Sequence, residues 1–589
     1  MKEVLSYKKK LKLLRNLLKK KDCNYYLLPR TDKFQNEFIS EEDERVKWLT
    51  GFSGSFAFVI ISLKQNIIFT DGRYIDQIKK EVDQKTFKIL DINNKEPILW
   101  LKDKIQAKEK VLLDSWLFSC NKFNYLKKIV KEKKSKILLS KEILIDKIWK
   151  KKPNKIINKI FIRETKYSGI FFKNKIQHVK KILKDKKINS FFFSSPESIS
   201  WLLNIRSNQI KYVPIVLSFL LLNLNEKSYF FSKKNKNLEK YFSSYFIIFD
   251  LQDLREILIN FSITNKEIYL DPNKTPYFIE NFFKTIGVKV KYSQDPCENL
   301  KLIKNPIEIK GFKSSHIRDG VSVCKFLFWL DEIIKKNKKV SEIITSKKLF
   351  EFRKKNKLFR GLSFETISSF GSNGSIIHYR VSTKTNKILK KNNLYLYDSG
   401  AQYLDGTTDV TRTICIGDNP TQEQKDRFTR VLKGNLGLSN YSFSDRTTGS
   451  VLDKIARRHL KKKKLDYPHG TGHGVGSYLS VHEGPISISK SSKTKFKKGM
   501  VLTNEPGFYK TNQYGIRIEN IMLVIKRKKL LGFEILTLVP IDIKLIDTKL
   551  LNIQEKNWLN IYHKKVFNKI FKYLNKKERK WLKEKTAPI

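Results

Sequence analysis

Five residues of this sequence have types and settings that could do chemistry together: Asp398, Asp409, His473, Glu505 and Glu519. Asp398 follows the run Leu394-Tyr395-Leu396-Tyr397 and opens Asp398-Ser399-Gly400. Asp409 comes soon after, past the turn Asp405-Gly406, inside Thr407-Thr408-Asp409-Val410-Thr411-Arg412-Thr413. Two strands joined by a short turn would bring these two carboxylates together. His473 lies in His469-Gly470-Thr471-Gly472-His473-Gly474-Val475-Gly476, whose glycines let backbone and imidazole approach a buried centre closely. Glu505 stands in Thr503-Asn504-Glu505-Pro506-Gly507, and Glu519 is expected on a strand between Ile518 and Asn520. Four hard oxygen donors and one imidazole suit Mn²⁺, Co²⁺ or a similar divalent ion better than a thiolate-loving metal. Five such residues, some bridging, can hold two ions about 3.5–4 Å apart with a hydroxide between them. Singly, an Asp after a strand is more often a turn former, and a Glu on a strand is usually solvated. It is their joint presence that points to a metal centre. The glycine loop matches neither the GxxxxGKS/T nor the GxGxxG spacing, so it is not read as a phosphate cradle.

The composition bounds what surrounds this set. The chain has 589 residues, with 119 Lys+Arg against 58 Asp+Glu and a net charge of +61. At about 100–200 residues per domain, three or four domains are expected. Hydrophobic residues at 40% and aromatics at 12% exclude a wholly disordered basic tail. The apolar run 213–222 is about half of the ~20 residues a membrane span needs, so a soluble protein is expected. Five cysteines lie far apart with no CxxC, which argues against a disulfide framework or structural zinc and fits a reducing compartment. The lysines are spread along the whole chain (Lys8 to Lys10, Lys131 to Lys134, Lys461 to Lys464, Lys576 and Lys577) and form no patch. With the surplus of Asn, Ile and Phe, that spread reads as compositional bias rather than a polyanion site, and charge of this kind bears on solubility and steering rather than chemistry.

At the N-terminus, Val4, Tyr7, Leu11, Leu14 and Leu18 fall at helical spacing. They run directly into Tyr25-Tyr26-Leu27-Leu28-Pro29, so the first helix is read as part of a folded domain and no targeting signal is expected. Residues 8–52 run basic helix, apolar strand, polar turn and a helix ending Trp48-Leu49-Thr50-Gly51-Phe52. Residues 176–206 repeat that order through Phe191-Phe192-Phe193, Ser195-Pro196-Glu197 and Trp201-Leu202. Two copies of one unit predict two similar α/β domains, 1–155 and 156–300, with a Lys/Asn-rich seam at 150–159. A third, α+β region, 301–540, begins near Asn305-Pro306 with an amphipathic helix through Ile309, Phe312, Ile317, Val321 and Phe328. It continues with segments such as 394–397 and 515–519 that read as half-buried strands. Residues 541–589 are expected to be a helical extension.

The segments 398–413, 469–485, 504–509 and 515–520 resemble those of aminopeptidase P, the Xaa-Pro aminopeptidase family of the creatinase/methionine aminopeptidase superfamily. The likeness runs nearly end to end. It includes 46–60 and Thr70-Asp71-Gly72-Arg73-Tyr74, then 201–221, Asn373-Gly374-Ser375-Ile376-Ile377-His378-Tyr379, Leu536-Thr537-Leu538-Val539-Pro540 and Ala587-Pro588-Ile589. The resemblance is to the long, three-domain cytosolic type. It implies two creatinase-like N-terminal α/β domains, a pita-bread α+β catalytic domain with a helical C-terminal extension, a cytoplasmic homodimer and two divalent ions, Mn²⁺ in the family. It implies that Asp398 chelates one ion and His473 with Glu505 the other, that Asp409 and Glu519 bridge, and that Arg517 orients a ligand carboxylate from the same strand face. Glu505 is then expected to move the proton of the attacking water and His482, in Val481-His482-Glu483-Gly484-Pro485, to bond the carbonyl or developing oxyanion. His378 and His469 are expected to hold substrate and relay protons.

The implied substrates are peptides with proline in second position, whose bond nitrogen carries no hydrogen and whose ring restrains the preceding residue. No specific nucleic acid and no membrane partner are expected. One departure is Cys415, where relatives of the long type commonly carry His. The rival readings are a prolidase (Xaa-Pro dipeptidase) with the same ligand set and, less favoured, a non-catalytic binding protein on the same fold. Methionine aminopeptidase needs no two preceding domains.

Overall fold

The computed structural model describes residues 5–140, 142–154 and 159–589. Val4 and part of the expected seam at 150–159 therefore lie outside the described residues. The chain divides into two compact units, one of residues 1–162 with 172–298, the other of residues 163–171 with 299–589.

The first unit contains two six-stranded sheets of one design. In each, the first strand after an amphipathic helix (Tyr25–Pro29 or Ser190–Phe193) pairs antiparallel with one neighbour and parallel with the other. A hairpin and then a parallel strand extend one side, and a second parallel strand extends the other. This is the physical content of the internal echo at 8–52 and 176–206. The leading helix Tyr7–Lys20 starts at Ser6, whose hydroxyl caps the Lys9 amide, and buries Leu11, Leu14 and Leu18. Each such leucine contributes about 1.5–3 kcal/mol of burial.

The second unit opens with the helix Pro306–Lys335. Asn305 and Glu308 form a reciprocal capping box at its start, with Pro306 where a missing N–H costs nothing. The strand Asn393–Ser399 pairs with Ile367–Phe370 and with Val410–Ile416, placing Ser399 opposite Val410 and Asp398 opposite Thr411. A five-stranded sheet runs in the order Glu483–Ile488, Gly472–Gly474, Val501–Asn504, Asn520–Arg527, Leu530–Ile535. Gly507–Lys510 and Tyr514–Arg517 form a separate hairpin.

Two expectations need correction. Residues 394–397 are not half-buried: the strand is covered on both faces. Tyr395 reaches Thr345 of the helix Glu342–Lys354 and Tyr397 packs edge-on against Phe326 of the long helix, while Leu396 packs with Ile367 and Ile376. Alternation of Leu with Tyr mimicked a half-solvated strand because both phenols are buried, Tyr395 with hydroxyl partners of its own and Tyr397 within the aromatic packing. Glu519 is not within a strand either. It sits at the break where the chain leaves the Tyr514–Arg517 hairpin and enters the five-stranded sheet. There the Ile518 amide donates to the Pro506 carbonyl and the Glu519 amide to the Thr411 carbonyl, so the backbone is satisfied while it changes sheets. The extension is helical, with Ile553–Ile570 and Lys576–Lys585 packing Tyr562, Val566, Trp581 and Leu582 into the core of this unit.

Candidate metal centre

Four of the five donors sit at a strand end or sheet junction, where a side chain can turn out of the pleat. Asp398 is the penultimate residue of its strand, Asp409 precedes Val410–Ile416, Glu505 follows Val501–Asn504, and Glu519 occupies the junction described above. His473 lies on Gly472–Gly474, and a Cβ at Gly472 would collide with the Thr503 carbonyl, so only glycine lets these strands close up.

These residues come together. One ligand atom each from Asp409, His473 and Glu519 lie within 4.8 Å of one another. His473 Nε2 is 3.7 Å from Asp409 Oδ2 and 3.6 Å from Glu505 Oε1. Its Nδ1 is 2.9 Å from the Gly474 carbonyl, which can only accept, so the ring proton is held there and Nε2 offers its lone pair to the carboxylates. Asp398 receives Arg517 Nη2 at 2.7 Å on Oδ2. Arg517 Nε donates to Thr411 Oγ1 at 3.2 Å, and that hydroxyl donates to Glu519 Oε2 at 2.7 Å. Arg517 and Glu519 thus converge through Thr411 rather than by sharing a strand face.

The electrostatics are those of a cluster built around positive charge. Burial, then the neighbouring Glu519, Asp398 and Glu505, push the Asp409 carboxyl far above its usual range. Burial, with Asp398 and Glu505, does the same to Glu519, against the Thr411 hydrogen bond and Arg517. Burial works against the Arg517 charge, but Tyr509 and the carboxylates Asp398, Glu505 and Glu519 outweigh it and hold the guanidinium protonated well above its ordinary range. Asp398 Oδ1 and Asp409 Oδ1 are buried oxygens with no hydrogen-bond partner. Like-charged carboxylates with orphaned buried oxygens, facing an imidazole lone pair, are a costly arrangement unless cations neutralise them. The donor set fits hard divalent ions.

The other expected residues border the cluster. The His482 ring lies 4.4 Å from that of His473, centroid to centroid, edge to face. His469 Nδ1 is 3.9 Å from Glu505 Oε2 and donates to the Gly470 carbonyl at 2.7 Å. His469 Nε2 then accepts from the Tyr509 hydroxyl at 2.9 Å, and that hydroxyl accepts from Arg517 Nη1 at 2.6 Å. His378 follows Ile377, whose carbonyl accepts from Arg517 Nη2 at 3.4 Å. Cys415 is away from the cluster, buried with its amide on Asp542 at 2.9 Å; burial pushes its thiol up to about 11.

Sequence reasoning missed Tyr509, Thr411 and Arg412. Tyr509 lay inside a quoted motif, four residues after Glu505, and its regular spacing from Arg517 across a hairpin was the available signal. Arg412 is 1% exposed, and its guanidinium bonds the carbonyls of Thr411, Glu519, Val539 and Pro540, Asn520 Oδ1 and the Tyr562 hydroxyl.

The profile of metallopeptidase family M24 matches residues 312–526, and the C-terminal region of peptidase M24 matches 529–589. The creatinase/prolidase N-terminal domain matches twice, at 10–145 and 151–308. The fold and site are thus those of an M24 metallopeptidase with two creatinase-like N-terminal domains. The chain is 37% identical over 609 residues to Xaa-Pro aminopeptidase 1 of Dictyostelium discoideum, covering 99% of this chain and 96% of that one. It is 36% identical over 615 residues to a probable Xaa-Pro aminopeptidase P of Coprinopsis cinerea, covering 99% and 98%. The crystal structure of the X-prolyl aminopeptidase of Caenorhabditis elegans, described as a cytosolic enzyme with a di-nuclear active site, superimposes with a TM-score of 0.95 at 32% identity. That superposition covers 99% of this chain and 100% of that one. The chain belongs to the Xaa-Pro aminopeptidase family of M24 metallopeptidases.

Proposed function

We propose that this enzyme hydrolyses the bond between an N-terminal residue and a following proline, releasing that first residue, with two divalent ions, Mn²⁺ in preference, at the centre. The observation that carries the reading is the gathering of Asp398, Asp409, His473, Glu505 and Glu519 in a chain that runs the full length of relatives named Xaa-Pro aminopeptidases. Asp398 would hold one ion and His473 with Glu505 the other, with Asp409 and Glu519 shared. When bound, the ions supply Lewis acidity and lower the pKa of water.

The chain's own residues do the rest. Arg517 fixes the Asp398 carboxylate through its 2.7 Å bond. Glu505, close to His473 and His469, takes the proton of the attacking water on a carboxylate oxygen. His482 donates from its ring to the scissile carbonyl oxygen as charge develops there. His469, oriented at both nitrogens, and His378 hold the peptide and relay protons, and the Arg517–Tyr509 hydrogen bonds fix the His469 ring beside Glu505.

A homodimer in the cytosol is part of the proposal. The cytosolic part is supported by the neighbour described as a cytosolic enzyme; among the described residues no helix is long and apolar enough to cross a membrane. The proposed division at about 155 and 300 lies near the limits of the family matches, 145/151 and 308/312, whereas the catalytic match gives way to the C-terminal one at 526/529, ahead of the proposed 540. The prolidase alternative is not favoured, because the full-length relatives are named aminopeptidases, and a purely binding role has no support among them. The test is Arg-Pro-Pro with metal-loaded, chelated and Glu505→Gln protein. Free Arg is expected only from the loaded wild type; cleavage of dipeptides alone would defeat the aminopeptidase reading.

A further inference from the structure

His482 ends the loop that joins two strands of the five-stranded sheet, just before a shift of register. His473 pairs with Ser487 but Gly474 with Glu483, so 484–486 bulge out of the ladder, and 475–482 form the loop that joins the two strands. Within the loop the Gly476 amide donates to the Ser480 carbonyl at 3.0 Å. Other fastenings come from side chains far away in sequence. Arg163, 2% exposed, donates Nη1 to the Ser477 carbonyl at 2.8 Å and Nη2 to the Ser477 hydroxyl at 2.9 Å. Gln402 Nε2 donates to the Leu479 carbonyl at 2.7 Å. Beyond His482, Lys304 Nζ pairs with the Glu483 carboxylate and also donates to the Lys301 carbonyl at 2.8 Å. Lys301 Nζ donates to the Gly484 carbonyl at 3.2 Å and stands 3.7 Å from Glu483 Oε1. Lys301 and Lys304 are each 3% exposed and Glu483 1%.

Three buried cations spent on one loop are expensive as stability devices, since apolar residues of similar volume would hold a loop as well or better. What the ionic arrangement supplies is direction. The cations are themselves anchored: the Asn305 amide group donates to the Ser168 carbonyl at 2.8 Å, fastening the Arg163 segment, and the Lys304 amide donates to the Gly499 carbonyl at 3.0 Å. Both segments, 163–171 and 299–305, belong to the compact unit of the metal centre, yet they fall within the second N-terminal-domain match, 151–308, and outside the M24 match.

We propose that Arg163, Lys301 and Lys304 are positioning residues that clamp the 477–484 loop at its two ends and so aim His482 at the reacting carbonyl. The segments flanking the second N-terminal domain are then working parts of the catalytic site. The inference rests on the reading of His482 as the donor to that carbonyl, and the experiment separates the two. In the full-length, metal-loaded enzyme, kcat and KM on an Xaa-Pro peptide and bound metal are measured for Lys304→Met, Lys304→Arg, His482→Ala and the double variant Lys304→Met/His482→Ala.

A misaimed donor lowers kcat by about 100-fold with KM and metal content nearly unchanged. Lys304→Arg restores most of the loss, and the double variant is no slower than His482→Ala alone. Lys304→Met/Glu483→Met removes both charges of that pair and leaves Lys301 on the Gly484 carbonyl, so folding is spared an unpaired carboxylate, and it is expected to show the same kcat loss. Arg163→Met tests the other end in the same way. Unchanged kcat in Lys304→Met and Lys304→Met/Glu483→Met, or losses that multiply with His482→Ala, would overturn the clamp. Wild-type kcat in His482→Ala would instead overturn the role given to His482.

Discussion

Replacing Arg412 by Lys tests whether the C-terminal extension is coupled to the metal centre. The guanidinium makes bonds of 2.6–3.1 Å to six acceptors: Glu519 O 2.6, Asn520 Oδ1 2.8, Tyr562 Oη 2.8, Thr411 O 2.9, Val539 O 2.9 and Pro540 O 3.1 Å. Lysine brings three N–H donors at one point where arginine spreads five over a fork, so two or three of these buried acceptors lose their partner. At about 1–3 kcal/mol each, the apoprotein should lose about 2–9 kcal/mol, a large share of the total whose lower part a domain can survive. A second effect appears only with metal. The Glu519 carbonyl belongs to the residue whose carboxylate is proposed to bridge the ions, and loosening a support of that kind costs about 10–100-fold in metal affinity, or about 1.4–2.8 kcal/mol. Denaturant unfolding with and without saturating Mn²⁺ separates the two, and calorimetric titration of the apoprotein gives affinity directly. The holo form should lose more than the apo form by that difference. Equal losses with unchanged metal affinity would refute the coupling, and a loss below about 1 kcal/mol in both forms would refute the hydrogen-bond arithmetic.

Tyr509→Phe removes the hydroxyl that links Arg517 to His469; kcat is expected to fall about tenfold with metal retained, and an unaltered kcat would show that His469 does not need this hydroxyl to hold its place. Glu342 is fully buried, and its two oxygens accept from the Phe370 and Lys387 amides, Asn373 Nδ2 and the Tyr379 hydroxyl, on both sides of His378. Glu342→Gln turns one acceptor into a donor facing donors, so thermal unfolding should show a loss of about 2–4 kcal/mol and peptide KM should rise; a silent substitution would mean that this segment does not need its hub. Asp114, buried and bonded to Tyr26 Oη and the Leu144 amide, has its carboxyl pushed up from 3.8 to about 7, by burial first. The folded state therefore binds that proton more tightly than the unfolded chain. This contribution to stability is complete below about pH 4 and is lost as pH rises through about 7. Unfolding of wild type and Asp114→Asn across that range should show the slope in the former and its reduction in the latter.

What could be read from the sequence followed from what constrains residue type. A hard divalent ion favours carboxylates and imidazole among side-chain donors, so Asp398, Asp409, His473, Glu505 and Glu519 stood out by identity at strand ends and glycine turns. The paired helix–strand–turn–helix runs likewise announced two sheets of one design. The strand alternation at 394–397 misled because a buried phenol with a partner looks polar in a pattern, and the sheet change at Glu519 is set by carbonyls of Pro506 and Thr411 that no local spacing reveals. The supports of the centre were invisible for a deeper reason. A buried carbonyl accepts from any donor that reaches it, so Arg163, which meets Ser477 at a separation of 314 residues, carries no mark of its task in its own neighbourhood. Ligands are legible because chemistry selects them one residue at a time, whereas their positioning residues are selected by geometry that exists only once the chain has folded. The clamp on the His482 loop and the Arg412 brace behind Glu519 are both of the second kind. Their substitution should therefore alter how the centre is aimed and held before it alters which atoms compose it.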